Sequence, residues 1–295
     1  MDKKVYYGGQ AVVEGVMMRG QKAMVTVVRH PDGHLATNTE PLPTIYTGWL
    51  RRAPLLRGVL VLVEALVLGI KSLLYSANVA LEEEGEEVSG GMAWLMVAVA
   101  LLLAVGLFFM LPLFLTRLFN INSTLLFNLV DGIIRVVIFI IYLKAMTLIP
   151  DIKRVFAYHG AEHKAVNAAE AGVPLEVAAV KAYSTAHTRC GTSFIFVVLV
   201  LSIFIFALSG IHSPWLMALS RIVLIPLIAA LSYEVIYFGA RHVQHRLVRV
   251  LLAPGLWLQA LTTREPDDSQ LEVALAALKQ VTEIDQQAES VPTPP

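Results

Sequence analysis

Two uncharged apolar runs, Val88 to Thr116 and Cys190 to Ser220, each exceed the about 20 residues that a helix needs to cross the hydrocarbon of a bilayer. A soluble fold would have to hide both completely, and the rest of the chain is too apolar to do so. Hydrophobic residues make up 56% of the 295 and charged residues only 16%, against about 45–50% and about 25% in soluble domains. An ordinary cytosolic enzyme and a disordered chain are therefore excluded. The 23 basic and 23 acidic residues cancel, so no charge excess points to nucleic acid, and the partner implied is the lipid bilayer. One cysteine, Cys190, excludes an intramolecular disulfide framework and fits a reducing compartment. The stretch Met1 to Lys22 has no apolar run of signal-peptide length, so no cleavage is expected.

Two further segments read as spans that carry polar groups. Leu125 to Ile149 holds Asp131, Arg135 and Lys144, and Pro214 to Phe238 holds Arg221 and Glu234. Leu55 to Ala77 is apolar but interrupted by Arg57, Glu64 and Lys71, the pattern of a helix in or dipping into the interface. Cytoplasmic loops collect Lys and Arg, and with four spans 19 of the 23 basic residues fall on one side. A fifth span at Leu55 to Ala77 would place a basic cluster outside. The expected fold is an α-helical polytopic membrane protein with four transmembrane helices, an interfacial helix, a small cytosolic β-hairpin region and both termini cytosolic.

The domain organisation follows. Residues 1–54 form a cytosolic region in which KAMVTVVR, the turn HPDG and HLATNTE read as strand, turn and strand. Residues 55–91 form the interfacial or re-entrant helix and an acidic loop, Glu82 to Glu87. Residues 92–254 form the four-span domain, with a cytosolic helical insert at 150–190 that starts at Pro150-Asp151 and stops at Gly172. Residues 255–295 hold an amphipathic helix capped by Asp267 or Asp268 and a disordered VPTPP tail.

The sharpest chemical signal is YHGAEHK, Tyr158 to Lys164. His159 and His163 stand four apart on one helical face, where both imidazoles can bind one metal, and Glu162 can act as general base. The pattern is H-x-x-E-H, the inverzincin arrangement of zinc proteases. A catalytic metal site needs three protein ligands and an open position. Glu234 lies 71 residues after His163, about 30 Å of helix beyond Pro214, at the cytosolic end of the fourth span. His187 and Cys190, in HTRCG, compete with it for the third position. Within the spans, Asp131 is expected to pair with Arg135 or Arg221, because an unpaired charge there costs several kcal/mol. The stretch GGQAVVEGVMMRG, Gly8 to Gly20, is either a lid over a site or a lead-in to the hairpin.

Taken together, GGQAVVEGVMMRG, DGIIRVVIFIIYL, YHGAEHK, HTRCGTSF, SYE and PGLWLQALTTREP resemble the YqhQ-like family of bacterial and plastid membrane proteins, described as predicted metal-dependent enzymes. The resemblance implies that His159, Glu162, His163, His187, Cys190 and Glu234 belong to family motifs, and it implies a multi-pass protein of the bacterial cytoplasmic membrane. The leading expectation is a cytosol-facing divalent-metal site, zinc, that hydrolyses a membrane-associated substrate. A second is a non-enzymatic accessory factor in membrane-protein insertion or quality control, partnered by membrane-protein machinery or a membrane protease. A transporter using Asp131, Arg135 and Arg221 is the third.

Overall fold

The computed structural model describes residues 7–82, 88–211, 213–242 and 244–290. Most of the acidic run Glu82 to Glu87 and the whole VPTPP tail lie outside the described residues.

The N-terminal region is a four-stranded antiparallel meander, β1 (Gly8–Val12), β2 (Gly15–Arg19), β3 (Ala23–Arg29) and β4 (Leu35–Pro41), in sequential order. The expected hairpin is β3–β4, with Arg29 opposite Leu35 and Ala23 opposite Pro41. The segment read as a lid or lead-in is a second hairpin, β1–β2. It escapes the sequence reading because β2 is buried on both faces and so does not alternate, and because its two-residue turn holds Glu14 at φ 50° rather than the usual Asn-Gly or Asp-Gly pair.

Among the described residues four helices are long and apolar enough to cross a membrane. They are α1 (Leu56–Leu81), α2 (Gly90–Arg117), α3 (Thr124–Met146) and, after α4 (Pro150–Ala171), α5 (Gly191–Leu208). A fifth candidate is a pair bent by 46°, α6 (Pro214–Val223) and α7 (Ile225–Arg241). Pro226 explains the bend, since it removes a backbone donor and its ring clashes with the preceding turn. Beyond α7 come α8 (Arg246–Gln259), which runs across the expected boundary between residues 254 and 255, and α9 (Asp268–Ser290), the expected amphipathic helix.

Helix α1 owes its length to the way its charges are neutralised. Glu64 pairs with Arg19 at 2.9 Å and with Arg51, Lys71 pairs with Glu40 at 2.7 Å, and Arg57 pairs with Glu234. One face of α1 lies along the sheet, where Leu68 packs with Met17 and Met24, and Val79 packs with Val12 and Val28. The opposite face exposes Leu56, Val63, Leu66 and Leu73. Near its start, Gly58 allows contact with α7, where a Cβ would lie 2.7 Å from the Ala230 Cα.

The paired charges expected in the spans are present, and both alternatives occur at once. Asp131 accepts from Arg135 at 2.6 Å and from Arg221 at 3.3 Å, and Arg221 also donates to Asn128 at 2.7 Å. All three ions are 1% exposed, and the guanidinium of Arg221 lies 3.8 Å from the Phe206 ring centre.

The main core joins the sheet to α4 and α9. Val16, Met18, Val25 and Val27 meet Tyr158, Ala161 and Ala165 of α4, and Leu271, Leu275, Leu278 and Val281 of α9. Helix α9 begins with a capping box: Asp267 Oδ1 accepts from Gln270 N at 2.9 Å, and Gln270 Oε1 accepts from Asp267 N at 3.0 Å. The apolar face of this helix is therefore spent on the protein's own sheet.

Candidate metal centre

Helix α4 starts at Pro150 with Asp151 in its first turn, where a negative charge suits the helix dipole, and stops at Gly172 in the left-handed conformation. Between those signals His159 and His163 share a face, with ring centres 4.3 Å apart. Two loops close over that face. Thr262 to Pro266, after α8, runs against α4, with Arg264 N donating to Phe156 O at 2.9 Å. The approach requires Gly160, because a Cβ there would sit 2.0 Å from Arg264 O. The HTRCG loop brings in Cys190, the N-cap of α5, whose Sγ accepts from Thr192 N at 3.4 Å and lies 3.3 Å from His159 Nε2.

His159, His163 and Cys190 each offer one ligand atom, and the three atoms lie within 4.8 Å of one another. The remaining nitrogen of each ring is committed elsewhere. His159 Nδ1 donates to Thr262 O at 2.9 Å and His163 Nδ1 donates to Thr185 O at 2.6 Å. A carbonyl only accepts, so in the neutral rings the proton sits on Nδ1 and each Nε2 keeps its lone pair. This is the outer-shell arrangement that orients histidine ligands in metal sites.

A cavity of about 120 Å³ opens onto these groups. Glu162 and His187 line it, as do Gly8 and Gly9 of β1. The β1 backbone presses close, since a Cβ at Gly9 would lie 2.9 Å from Glu162 Cγ. Glu162 is 6% exposed, and among the described residues no donor or cation reaches its carboxylate.

The sequence-derived ligands thus divide. His159, His163 and Cys190 come together, with Glu162 beside them. His187 is in the cavity wall, its ring 5.7 Å from that of His163, with Nε2 buried, without a hydrogen bond among the described residues, and 3.7 Å from Glu170 Oε1. Glu234, expected as the third ligand, is not in the cavity wall or in the His159, His163 and Cys190 group. Both its oxygens accept from Arg57, one at 2.8 Å, and Leu55 N adds a bond at 3.0 Å. Helix α7 packs on α1, and this turns Glu234 toward a cation already present.

Gln259 organises the site and was not foreseen. It is fully buried, accepts from His187 N at 3.0 Å, and donates to His187 O at 2.8 Å and Ser193 Oγ at 2.6 Å. These three bonds fasten the HTRCG loop to α8 and α5. Its one sequence signal is an amide inside the apolar run LWLQAL. Glu14, in the β1–β2 turn, binds Arg154 through both oxygens and accepts from Tyr158 Oη at 3.3 Å. Burial first, then the Glu14 carboxylate, raises the Tyr158 phenol above its ordinary pKa, which keeps it a neutral donor.

A family model described as "Protein of unknown function (DUF1385)" matches residues 53–284. The chain is similar to "Uncharacterized protein YqhQ" of Bacillus subtilis (strain 168), 34% identical over 299 residues that cover 95% of this chain and 93% of that protein. No solved structure matches.

Proposed function

The chain belongs to the family described as Protein of unknown function (DUF1385), and from that premise we propose a multi-pass protein of the bacterial cytoplasmic membrane with a cytosol-facing zinc site that hydrolyses a membrane-associated substrate. His159 Nε2, His163 Nε2 and the Cys190 thiolate hold the metal. The observation that carries this reading is that both Nδ1 atoms are spent on carbonyls, Thr262 O and Thr185 O, while both imidazoles converge on a thiol. Nitrogen and sulfur donors suit zinc, and three of them leave a position open for substrate. When bound, zinc supplies Lewis-acid polarisation of a carbonyl or phosphoryl oxygen.

Glu162 acts as general base. A carboxylate lining the cavity with no partner among the described residues can take a proton from the attacking water and return it to the leaving group. The orientation rests on charge: nineteen of 23 basic residues fall on the side that holds the sheet, α4 and α9. Helix α1, with one face on that sheet and an apolar face outward, lies in the interface, which leaves α2, α3, α5 and the bent α6–α7 pair as the four spans.

Elemental analysis of detergent-purified protein tests the reading. Wild type is expected to carry about one zinc per chain at this site, His163→Ala and Cys190→Ser to lose it, and Glu162→Gln to keep it while losing hydrolysis of peptide and phosphoester probes. Wild type without metal at this site overturns the reading and leaves the accessory factor in membrane-protein insertion or quality control as the better account.

A further inference from the structure

We propose that α8 lies along the membrane surface and, with the end of α7, binds the anionic headgroups of phospholipids through Arg241, Arg246 and Arg249. Helix α8 has 14 residues, about 21 Å of helix, too short for the about 30 Å of hydrocarbon that a span must cross. One face is spent on the protein itself. Leu258 packs with Phe139, Leu143 and Leu199, while Gly255 meets Ser193 and Leu252 meets Gly239 of α7.

The outward face is apolar as well. Leu247, Val250, Leu251 and Trp257 are 61–78% exposed, and at 3.6 residues per turn they fall within an arc of about 120°. Arg246 and Arg249 run along one edge of that arc, away from the packed face. An apolar stripe edged by arginines is the pattern of a helix lying in an interface, where the stripe enters the acyl chains and the guanidiniums reach the headgroups.

Charge selects the headgroup. No Asp or Glu occurs between Glu234 and Glu265. Arg241, Arg246 and Arg249 are exposed and make no ion pair among the described residues, whereas Arg19, Arg57, Arg135 and Arg154 each meet a carboxylate. Three neighbouring cations without a counter-charge, beside an apolar stripe, match a layer of phosphate. Phosphatidylglycerol keeps its negative charge, while phosphatidylcholine cancels it with its own ammonium. The same helix ends in Gln259, which fastens the HTRCG loop, so one helix joins the headgroup layer to the candidate metal centre. The surface requires neither zinc nor hydrolysis, and the two readings fail separately.

The test uses the full-length protein with Trp49→Phe, Trp94→Phe and Trp215→Phe, which leaves Trp257 as its one tryptophan, in lipid nanodiscs. Quenching of Trp257 by brominated phosphatidylglycerol and by brominated phosphatidylcholine gives the relative affinity of the surface for the two lipids. The ratio should favour phosphatidylglycerol by about fivefold or more. It should fall toward unity in about 1 M salt, where screening reaches about 3 Å, but not with excess inorganic phosphate at matched ionic strength. The triple variant Arg241→Gln, Arg246→Gln and Arg249→Gln should lose the preference, and the same three residues changed to Lys should keep it. Absence of quenching, equal quenching by both lipids, a preference that survives salt or the Gln variant, or one that free phosphate abolishes overturns the proposal.

Discussion

The Arg264 carbonyl oxygen approaches Gly160 so closely that a Cβ on that residue would lie 2.0 Å from it. Backbone, not a flexible side chain, is what a larger residue would meet, so the loop must move. That loop also carries the Thr262 carbonyl that orients His159. Gly160→Ala should therefore lower both stability and metal content. Overpacking of this kind costs about 1–3 kcal/mol, and thermal unfolding beside elemental analysis reads both effects. A variant with full metal content would show that the loop does not position His159.

The Arg57–Glu234 pair makes the opposite prediction. Glu234→Gln should leave metal content unchanged and loosen the contact between α1 and α7. Bonds to charged groups are worth about 1.5–3 kcal/mol, and partial exposure of both side chains brings the expected loss to about 1 kcal/mol. Loss of metal in Glu234→Gln would return Glu234 to the site.

The buried triad of Asp131, Arg135 and Arg221 should respond asymmetrically. Asp131→Asn leaves two guanidiniums without a counter-charge and should cost about 3–5 kcal/mol. Adding Arg221→Gln should restore part of the loss. Melting of the purified variants in detergent decides it, and a single variant as stable as wild type would mean that water reaches these groups.

Asp267 gives a pH dependence. Burial raises its pKa, but the Ser269 hydroxyl and the backbone N–H groups of Gln270 and Ser269 outweigh that and hold it below the ordinary value. A folded pKa below the unfolded one means that the stabilisation is complete above the unfolded value, about 3.9, and disappears as pH falls through the folded value. Wild type should exceed Asp267→Asn at pH 7 by less than about 1 kcal/mol, because the site is exposed. The gap should narrow as pH falls below the unfolded value and close once pH has passed the folded one, read in thermal melts. A gap independent of pH would assign the effect to geometry rather than charge.

Orientation is open to thiol labelling in a Cys190→Ser background. A cysteine at Asn122 should react with an impermeant reagent added outside cells, and one at Ser184 should not. Labelling at Ser184 would reverse the proposed topology.

The apolar runs, the α4 boundaries at Pro150 and Gly172, the β3–β4 hairpin and the pairing of His159 with His163 were all legible in the sequence. Each follows from local chemistry: side-chain periodicity, a proline or glycine at a helix end, or two residues one helical turn apart. What the sequence left open was decided by contacts between distant segments. The third ligand position was expected to go to Glu234, with His187 and Cys190 as its rivals, since distance along the chain says nothing about which way a helix is rotated. Packing of α7 on α1 turned Glu234 to Arg57, and the Gln259 clamp on the HTRCG loop brought Cys190 to His159. The β1–β2 hairpin was hidden for a related reason: β2 is covered on both faces, and burial from two sides erases the alternation by which a strand is recognised. Local order was written in neighbouring residues, whereas the site's composition depended on how six separate elements packed, a property of the whole chain.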